Sequence, residues 1–540
     1  MAYGIRTGGL ILVLAALAFY GVRALRAPGL SAAAPIRTPL GLVRGTHESG
    51  LTVYRGIPYA APPIGNLRWR PPLPTSWTGT LEANQFKPAC VQVGGALPGS
   101  PAETMSEDCL GLNIWTPARQ DGEKLAVMVF LYGGHFTNGS SSTRLYWGDG
   151  LARKGVVVVT FNYRLGVLGW LAHPELTAES PRHVSGNYAI LDCVAALTWV
   201  KNNIAAFGGD PDNVTVFGQS AGAYLASELM ASPLAKGLFA RVIGMSGADM
   251  GTAGAPDDMP LKAQAEASGA AFAQSIGATS LASLRALSAK TLMARGSASE
   301  IPGLNLPNIE GFVLPRDVNS TLSTDAQTAN VDLMVGIDAQ EGATMVGAPM
   351  EANKYTRQVR ERFGGLADRF LTSFPGRSDR EALASAARLA TADVAWRTFT
   401  WARIHSRAGN GRRTYGYVFS RVPPWPPFAT LHAAGHGAEL PYVFGFPPRL
   451  AFFAVTWPWR AWRDFQLTGE MQTYWTNFAK TGDPNGNGLP TWPAFGQGDA
   501  LLDFSDSTRP GVLPEPAGTA LIEAHWQEYR ANALAERSPR

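Results

Sequence analysis

The sequence predicts an α/β fold: a large, mostly parallel central sheet flanked by helices, with helical insertions laid over it. Three observations lead there. Ala126–Tyr132 (AVMVFLY) and Val156–Phe161 (VVVVTF) are continuous apolar runs, the pattern of strands covered on both faces. Candidate strands near 214–217, 241–245 and 331–336 alternate with helical segments near 188–205 and 223–231, and such alternation builds a parallel sheet between helical layers. Val214–Met230 reads as strand, tight turn and helix. Three β-favouring residues lead into Gly218-Gln219-Ser220-Ala221-Gly222, and Ala223–Met230 is a helix-forming run.

The remaining elements follow in chain order. Gly41–Gly45 and Leu51–Pro58 read as short strands broken by Gly and Pro, and the Pro-rich stretch from Pro62 to Pro74 as irregular surface chain. Residues 251–310 are Ala/Ser-rich with helical spacing, and a second long helical stretch runs from Thr356 to Ser406. No internal repeat and no long polar linker interrupts them, so one large domain with insertions is expected over 35–540. A hydrophobic content of 46% with 16% charged residues fits a large buried core and excludes a disordered or coiled-coil chain. The net charge is +4, with no dense Lys/Arg cluster interleaved with aromatics, so nothing supports a nucleic-acid partner and none is expected.

Residues 1–34 read as an export segment. Arg6 precedes an apolar run, Gly8–Val22, short for a membrane span and suited to a secretory signal. Ser31-Ala32-Ala33-Ala34 is a candidate cleavage site, and an uncleaved N-terminal anchor is the alternative, the one route to a membrane. Either reading favours export: a secreted or periplasmic protein, or in the alternative one anchored to the membrane by its N-terminal segment. Among three cysteines, Cys90 and Cys109 bracket a Gly/Pro-rich segment that they could close, whereas Cys193 falls in a helical pattern as a small buried hydrophobe.

The Gly218–Gly222 turn matches G-x-S-x-G, in which glycines let a serine sit in strained backbone geometry with its hydroxyl above the sheet. Ser220 is the candidate nucleophile, and the amide of Ala221 faces charge developing on a substrate oxygen. Leu131-Tyr132-Gly133-Gly134-His135-Phe136 follows a strand, and its paired glycines allow backbone N–H groups to turn inward. Serine needs a base and the base an orienting carboxylate, in the chain order Ser, acid, His. Of eight histidines, His405, His432, His436 and His525 lie after a plausible acid; Gly435-His436-Gly437 is the favoured base and His432 its rival. Their i,i+4 spacing would suit a metal on a helix, but the glycines oppose a helix and no H-E-x-x-H pattern exists, so no metal is expected. In Leu333–Gly342 (LMVGIDAQEG) a strand runs into a loop, and Asp338 and Glu341 are both placed to serve as the acid.

Together these residues resemble the type B carboxylesterase family, the group of cholinesterases and bacterial ester hydrolases. Further markers are Tyr54–Ala60 (YRGIPYA), Glu107–Trp115 (EDCLGLNIW), Ala205–Pro211 (AAFGGDP), Gly435–Leu440 (GHGAEL) and Tyr474–Asn485 (YWTNFAKTGDPN). The resemblance covers nearly all of the chain after residue 36. It implies an α/β-hydrolase fold and a serine carboxylesterase acting on small-molecule esters through an acyl-enzyme, with no cofactor. It implies Ser220 as nucleophile, His436 as base, Glu341 as acid, and the amides of Gly134, His135 and Ala221 as oxyanion hole. Ser246 matches a family serine that supports the acid and the histidine. Cys90–Cys109 matches the family's first disulfide, and Arg68–Glu107 and Arg164–Asp192 look like its internal salt bridges. A catalytically silent interaction protein, or an amidase or lactonase using the same groups, are the alternative functions.

Four departures bear on specificity. Gln219 stands where the family has Glu, and His135 replaces a third glycine, adding a polar group that would be cationic if protonated. Ala278 and Ser283 stand where the second disulfide would be, and the Cys90–Cys109 loop holds no Trp. Without that aromatic platform and the Glu charge, quaternary-ammonium esters are disfavoured and neutral or anionic esters favoured.

Overall fold

The computed structural model describes residues 31–94, 104–120, 122–255, 258–324, 330–408, 411–445, 458–496 and 498–537. The apolar run Gly8–Val22 lies outside the described residues. Twelve strands form the main sheet: β1 (Ser31–Ala32), β2 (Thr46–Glu48), β3 (Leu51–Pro58), β4 (Gly111–Thr116), β5 (Leu125–Leu131), β6 (Val157–Phe161), β7 (Gly209–Gln219), β8 (Arg241–Met245), β9 (Asp332–Asp338), β10 (Thr414–Phe419), β11 (Leu501–Phe504) and β12 (Arg509–Gly511). Their spatial order is β1-β2-β3-β4-β6-β5-β7-β8-β9-β10-β11-β12. The seven strands from β6 to β11 in that order pair in parallel, and antiparallel strands close both edges. Central strands are buried where their apolar runs lie: every residue of β6 and of β9 is buried, and β7 is buried from Val214 to Gln219. Ile36–Thr38, Gly41–Arg44 and Thr80–Glu82 form a separate three-stranded sheet.

The helices that matter for the site are α1 (Tyr188–Asn203), α2 (Ala221–Ala231), α3 (Lys262–Ser275), α4 (Leu281–Ala286), α5 (Ala289–Ser297), α6 (Ala352–Phe363), α7 (Asp379–Arg407), α8 (Pro458–Thr481) and α9 (Pro516–Arg537). Helix α2 packs on β7 and β8, α7 on β9 and β10, and α8 on β5 and β7. The Ala/Ser-rich region becomes α3–α5, as its spacing predicts. The second stretch is not one helix. It breaks between Phe374 and Ser378, where Pro375 and Gly376 cannot continue a helix, and Ser378 restarts it by accepting the Glu381 N–H.

Cys90 and Cys109 form a disulfide, and Cys193 is buried and unpaired. Arg68 pairs with Glu107 at 2.7 Å and Arg164 with Asp192 at 2.7 Å. The Arg164–Asp192 pair is fully enclosed and bidentate, with two further bonds from Arg164 to the Arg70 and Tyr188 carbonyls satisfying the guanidinium. Among the described residues no helix is long and apolar enough to cross a membrane.

Candidate active site

Strand β7 ends at Gln219, and α2 begins at Ala221. Ser220, between them, has φ 56° and ψ −127°, a conformation that costs a non-glycine residue free energy and persists only where neighbours enforce it. The neighbours are visible. A Cβ on Gly218 would lie 2.2 Å from the Gly222 carbonyl oxygen, and one on Gly222 would lie 1.9 Å from that of Leu131. Only glycines let the turn fold this tightly against β5. The Ser220 N–H donates to the Met245 carbonyl at 2.9 Å, tying the turn to β8.

The loop after β5 lies against the same serine. A Cβ on Gly133 would come within 2.8 Å of the Ser220 Cβ. Gly134, His135 and Phe136 follow with φ of 124°, 51° and 61°. Consecutive positive φ values point successive N–H groups to one side, forming an anion-accepting concavity. The N–H groups of Gly134, His135 and Ala221 make no hydrogen bond to another described residue. His135 is exposed to the cavity, but burial of the ring's surroundings and the neighbouring His436 hold its pKa below the usual value. Both effects disfavour the cationic imidazolium at this position.

Of the four candidate histidines, His436 alone lines the cavity with Ser220. His405 is buried against Thr414 and the Val331 carbonyl, and His525 packs on Phe363 and Trp526. His432 ends a short helix, Phe428–Leu431, with φ 52°. His436 Nδ1 lies 2.6 Å from Glu341 Oε2. A carboxylate can only accept, so Nδ1 carries the proton and Nε2 presents its lone pair. That lone pair faces the Gln219 side-chain amide at 3.3 Å. Burial opposes protonation of His436, but the charge and hydrogen bond of Glu341 outweigh it and raise the pKa above the usual histidine value.

The two carboxyl candidates divide. Glu341 is fully buried; its Oε1 accepts the Asp338 N–H at 2.8 Å while Oε2 holds His436. Asp338 does not touch the imidazole. Its Oδ2 accepts the N–H groups of Gly437 (2.7 Å) and Ala438 (3.1 Å), fixing the loop that carries His436. Asp338 Oδ1 and both Glu439 carboxyl oxygens are buried without a donor from another residue. The two carboxyls face one another, so a proton held between them is what can satisfy both. Burial, then the charges of Glu439 and Glu341, push Asp338 well above the usual carboxylate range, and burial raises Glu439.

Ser246, just past β8, also has positive φ, at 60°, and its N–H donates to the Gly336 carbonyl at 2.8 Å. Its buried hydroxyl has no hydrogen-bond partner among the described residues and bonds to neither Glu341 nor His436. Ser220, Ala221, His135, Phe136 and His436 line a cavity of about 470 Å³. A larger hollow of about 830 Å³ near Tyr355 and Trp526 shares only Arg362 with it and contains none of these groups. Among the described residues no group of three or more His, Cys, Asp or Glu is arranged to hold a metal ion. The sequence did not single out the amide clamp of Asp338 or the arginines Arg362 and Arg397 in the cavity wall. Asp338 was legible as a strand-end carboxyl; the arginines lie in helices far along the chain and carry no local signal.

The family model described as the carboxylesterase family matches residues 32–510. The chain is 36% identical over 496 residues to fumonisin B1 esterase from Sphingopyxis macrogoltabida, covering 88% of this chain and 87% of that protein. It is 34% identical over 480 residues to para-nitrobenzyl esterase of Bacillus subtilis (strain 168), covering 85% and 92%. The solved carboxylesterase of Geobacillus stearothermophilus at pH 6.2 superposes with a TM-score of 0.75 at 31% identity, over 91% of this chain and all of that one.

Proposed function

The chain belongs to the carboxylesterase family and hydrolyses carboxylic esters of small molecules; on that premise we propose that Ser220, His436 and Glu341 do the chemistry. In this reading Ser220 Oγ attacks the ester carbonyl as His436 Nε2 takes its proton. Glu341 holds the imidazole in the Nδ1–H tautomer and stabilises the imidazolium that forms. The N–H groups of Gly134, His135 and Ala221 bind the oxyanion of the tetrahedral intermediate. The intermediate collapses to an acyl-enzyme as the alcohol leaves with the proton from Nε2. Water then attacks, His436 accepts its proton, and the carboxylic acid departs with Ser220 restored.

The observation that carries the assignment is the 2.6 Å contact of His436 Nδ1 with Glu341 Oε2, in a cavity shared with a serine at φ 56°. Gln219, at Nε2, occupies the lone pair in the resting geometry. The lone pair becomes available to Ser220 when the amide turns aside. For Ser246, support of the triad would likewise need a hydroxyl rotation towards Glu341 or His436. The Cys90–Cys109 disulfide suggests an exported protein. The finer reading is residues 1–34 as signal or anchor ahead of a single catalytic domain.

The test is covalent labelling with an organophosphonate together with hydrolysis of an activated acyl ester. Ser220→Ala is expected to abolish labelling and to lower kcat on the order of 10⁶-fold. His436→Ala should approach that loss, whereas His432→Ala should retain most activity. Labelling that persists elsewhere, or the reverse order of the histidines, overturns the assignment.

A further inference from the structure

Ser246, Asp249, Asp258, Arg362, Asp393 and Arg397 line the same cavity as Ser220. Small-molecule pockets are mostly apolar with a few placed polar groups. This wall holds two guanidinium groups and three carboxyls.

Much of the set satisfies itself. Arg397, on α7, is bonded through Nε to Asp393 at 3.1 Å and through Nη1 to Asp258 at 3.3 Å, with Asp249 at 3.9 Å. Arg362, half-buried at the end of α6, reaches Asp393 at 2.8 Å and contributes charge rather than an open donor. Two donors remain. Arg397 Nη2 makes no hydrogen bond to another described residue, and the hydroxyl of Ser246, a residue only 1% exposed, has no partner among the described residues. A buried polar group left unpaired costs free energy, which a ligand can recover. The charges do not cancel as the residue count implies. Burial, with Asp258 and Glu228 close by, pushes Asp249 well above the usual carboxylate range, which favours a proton shared within this carboxyl cluster. Burial raises Asp258 too, while Arg362 and Arg397 overcome burial to hold Asp393 low. The groups in this wall left without a partner among the described residues, Arg397 Nη2 and the Ser246 hydroxyl, can both donate.

We propose that the substrate carries a free carboxylate, remote from the scissile ester, which Arg397 and Ser246 bind and Arg362 attracts. Carboxylate matches guanidinium in shape and charge, and its remaining lone pairs accept from a hydroxyl. The inference rests on Ser220 as the reacting serine, because that serine sets which cavity holds the ester.

Paired esters test it. On the acyl side, 4-nitrophenyl hemiglutarate is compared with its methyl-capped diester. On the alcohol side, 4-carboxyphenyl butyrate is compared with its methyl-capped form. In at least one arm, kcat/KM for the free carboxylate should exceed that for the capped ester by roughly tenfold, about 1.4 kcal/mol. That ratio should fall at least fivefold in Arg362→Gln and in Arg397→Met, mainly through KM. If Arg397→Met does not fold, Ser246→Ala takes its place, with the same loss expected. Equal or better turnover of the capped ester in both arms overturns the inference, as does a ratio that the substitutions leave unchanged. If capped esters turn over and Ser220 is labelled without any carboxylate preference, this inference fails alone. If no ester turns over and Ser220 is unlabelled, the assignment of Ser220 fails with it.

Discussion

Asp338→Asn isolates the proton held behind the catalytic loop. The asparagine Oδ1 can accept the Gly437 and Ala438 N–H groups as Asp338 Oδ2 does, and its Nδ2 can donate to Glu439. The loop geometry is thereby kept and the titrating group removed. In the native protein the Asp338 carboxyl stays protonated well above the usual range because it is buried beside Glu439 and Glu341. The unfolded chain releases that proton near pH 3.9 (about the model-peptide value). Between there and the raised folded value, the folded state binds one proton more, so stability falls as pH rises, by about 1.4 kcal/mol per pH unit. The asparagine variant lacks this slope. Urea unfolding followed by tryptophan fluorescence at pH 5, 6, 7 and 8 should therefore show a variant that gains on the parent by about 1.4 kcal/mol per unit until Asp338 ionises. Its kcat at neutral pH should stay within a few-fold of the parent. Parallel stability curves would refute the held proton. A large loss of kcat with intact folding would show that the amide clamp needs the acid itself.

Two further outcomes follow from the site. The raised pKa of His436 places the acid limb of kcat/KM above pH 6.5, because the base must be neutral to take a proton; Gln219→Glu, with a carboxylate at the 3.3 Å contact on Nε2, should stabilise the imidazolium and move that limb up by about 1–3 pH units. A limb that does not move would mean that residue 219 leaves Nε2 alone in solution. Replacing Cys90 and Cys109 by Ser should cost roughly 3 kcal/mol by loop entropy over their separation of 19 residues, measured by unfolding of oxidised parent and variant. A loss below about 1 kcal/mol would show that the unfolded chain is already constrained there.

The parts of this protein legible in its sequence are those set by local sterics or by long apolar runs. Ser220 could be read because Gly218 and Gly222 are the residues the turn's close approaches demand. Strands β5 and β6 could be read because burial on both faces removes polar alternation. Strands β4, β10 and β11 carry no such signal: GLNIWT, TYGYVF and LLDF are short and mix polar or glycine residues into the pattern, and their pairing is with distant segments. The choice between Asp338 and Glu341 likewise could not be made from position, since both leave the end of one strand. It depends on which oxygen meets a histidine about 95 residues later. The charge state of His135 also lies beyond the sequence, because it is set by burial and by His436.

The parallel strands give the molecule a polarity that has consequences for its adaptability. Ser220 follows β7, Ser246 follows β8, Asp338 ends β9 with Glu341 just beyond, and the Gly133–Phe136 loop follows β5. Because these strands run the same way, the outgoing ends share one rim, while the incoming ends share the opposite one. Chain inserted between a strand's outgoing end and the next helix remodels the cavity wall without disturbing the register beneath it. Arg362 and Arg397 reach the cavity by that route, on helices that leave the rim after Glu341 and return to enter β10. Selectivity in such an architecture can change by exchange of a connecting segment, with the reacting atoms held in place by a scaffold that never needs to be rebuilt.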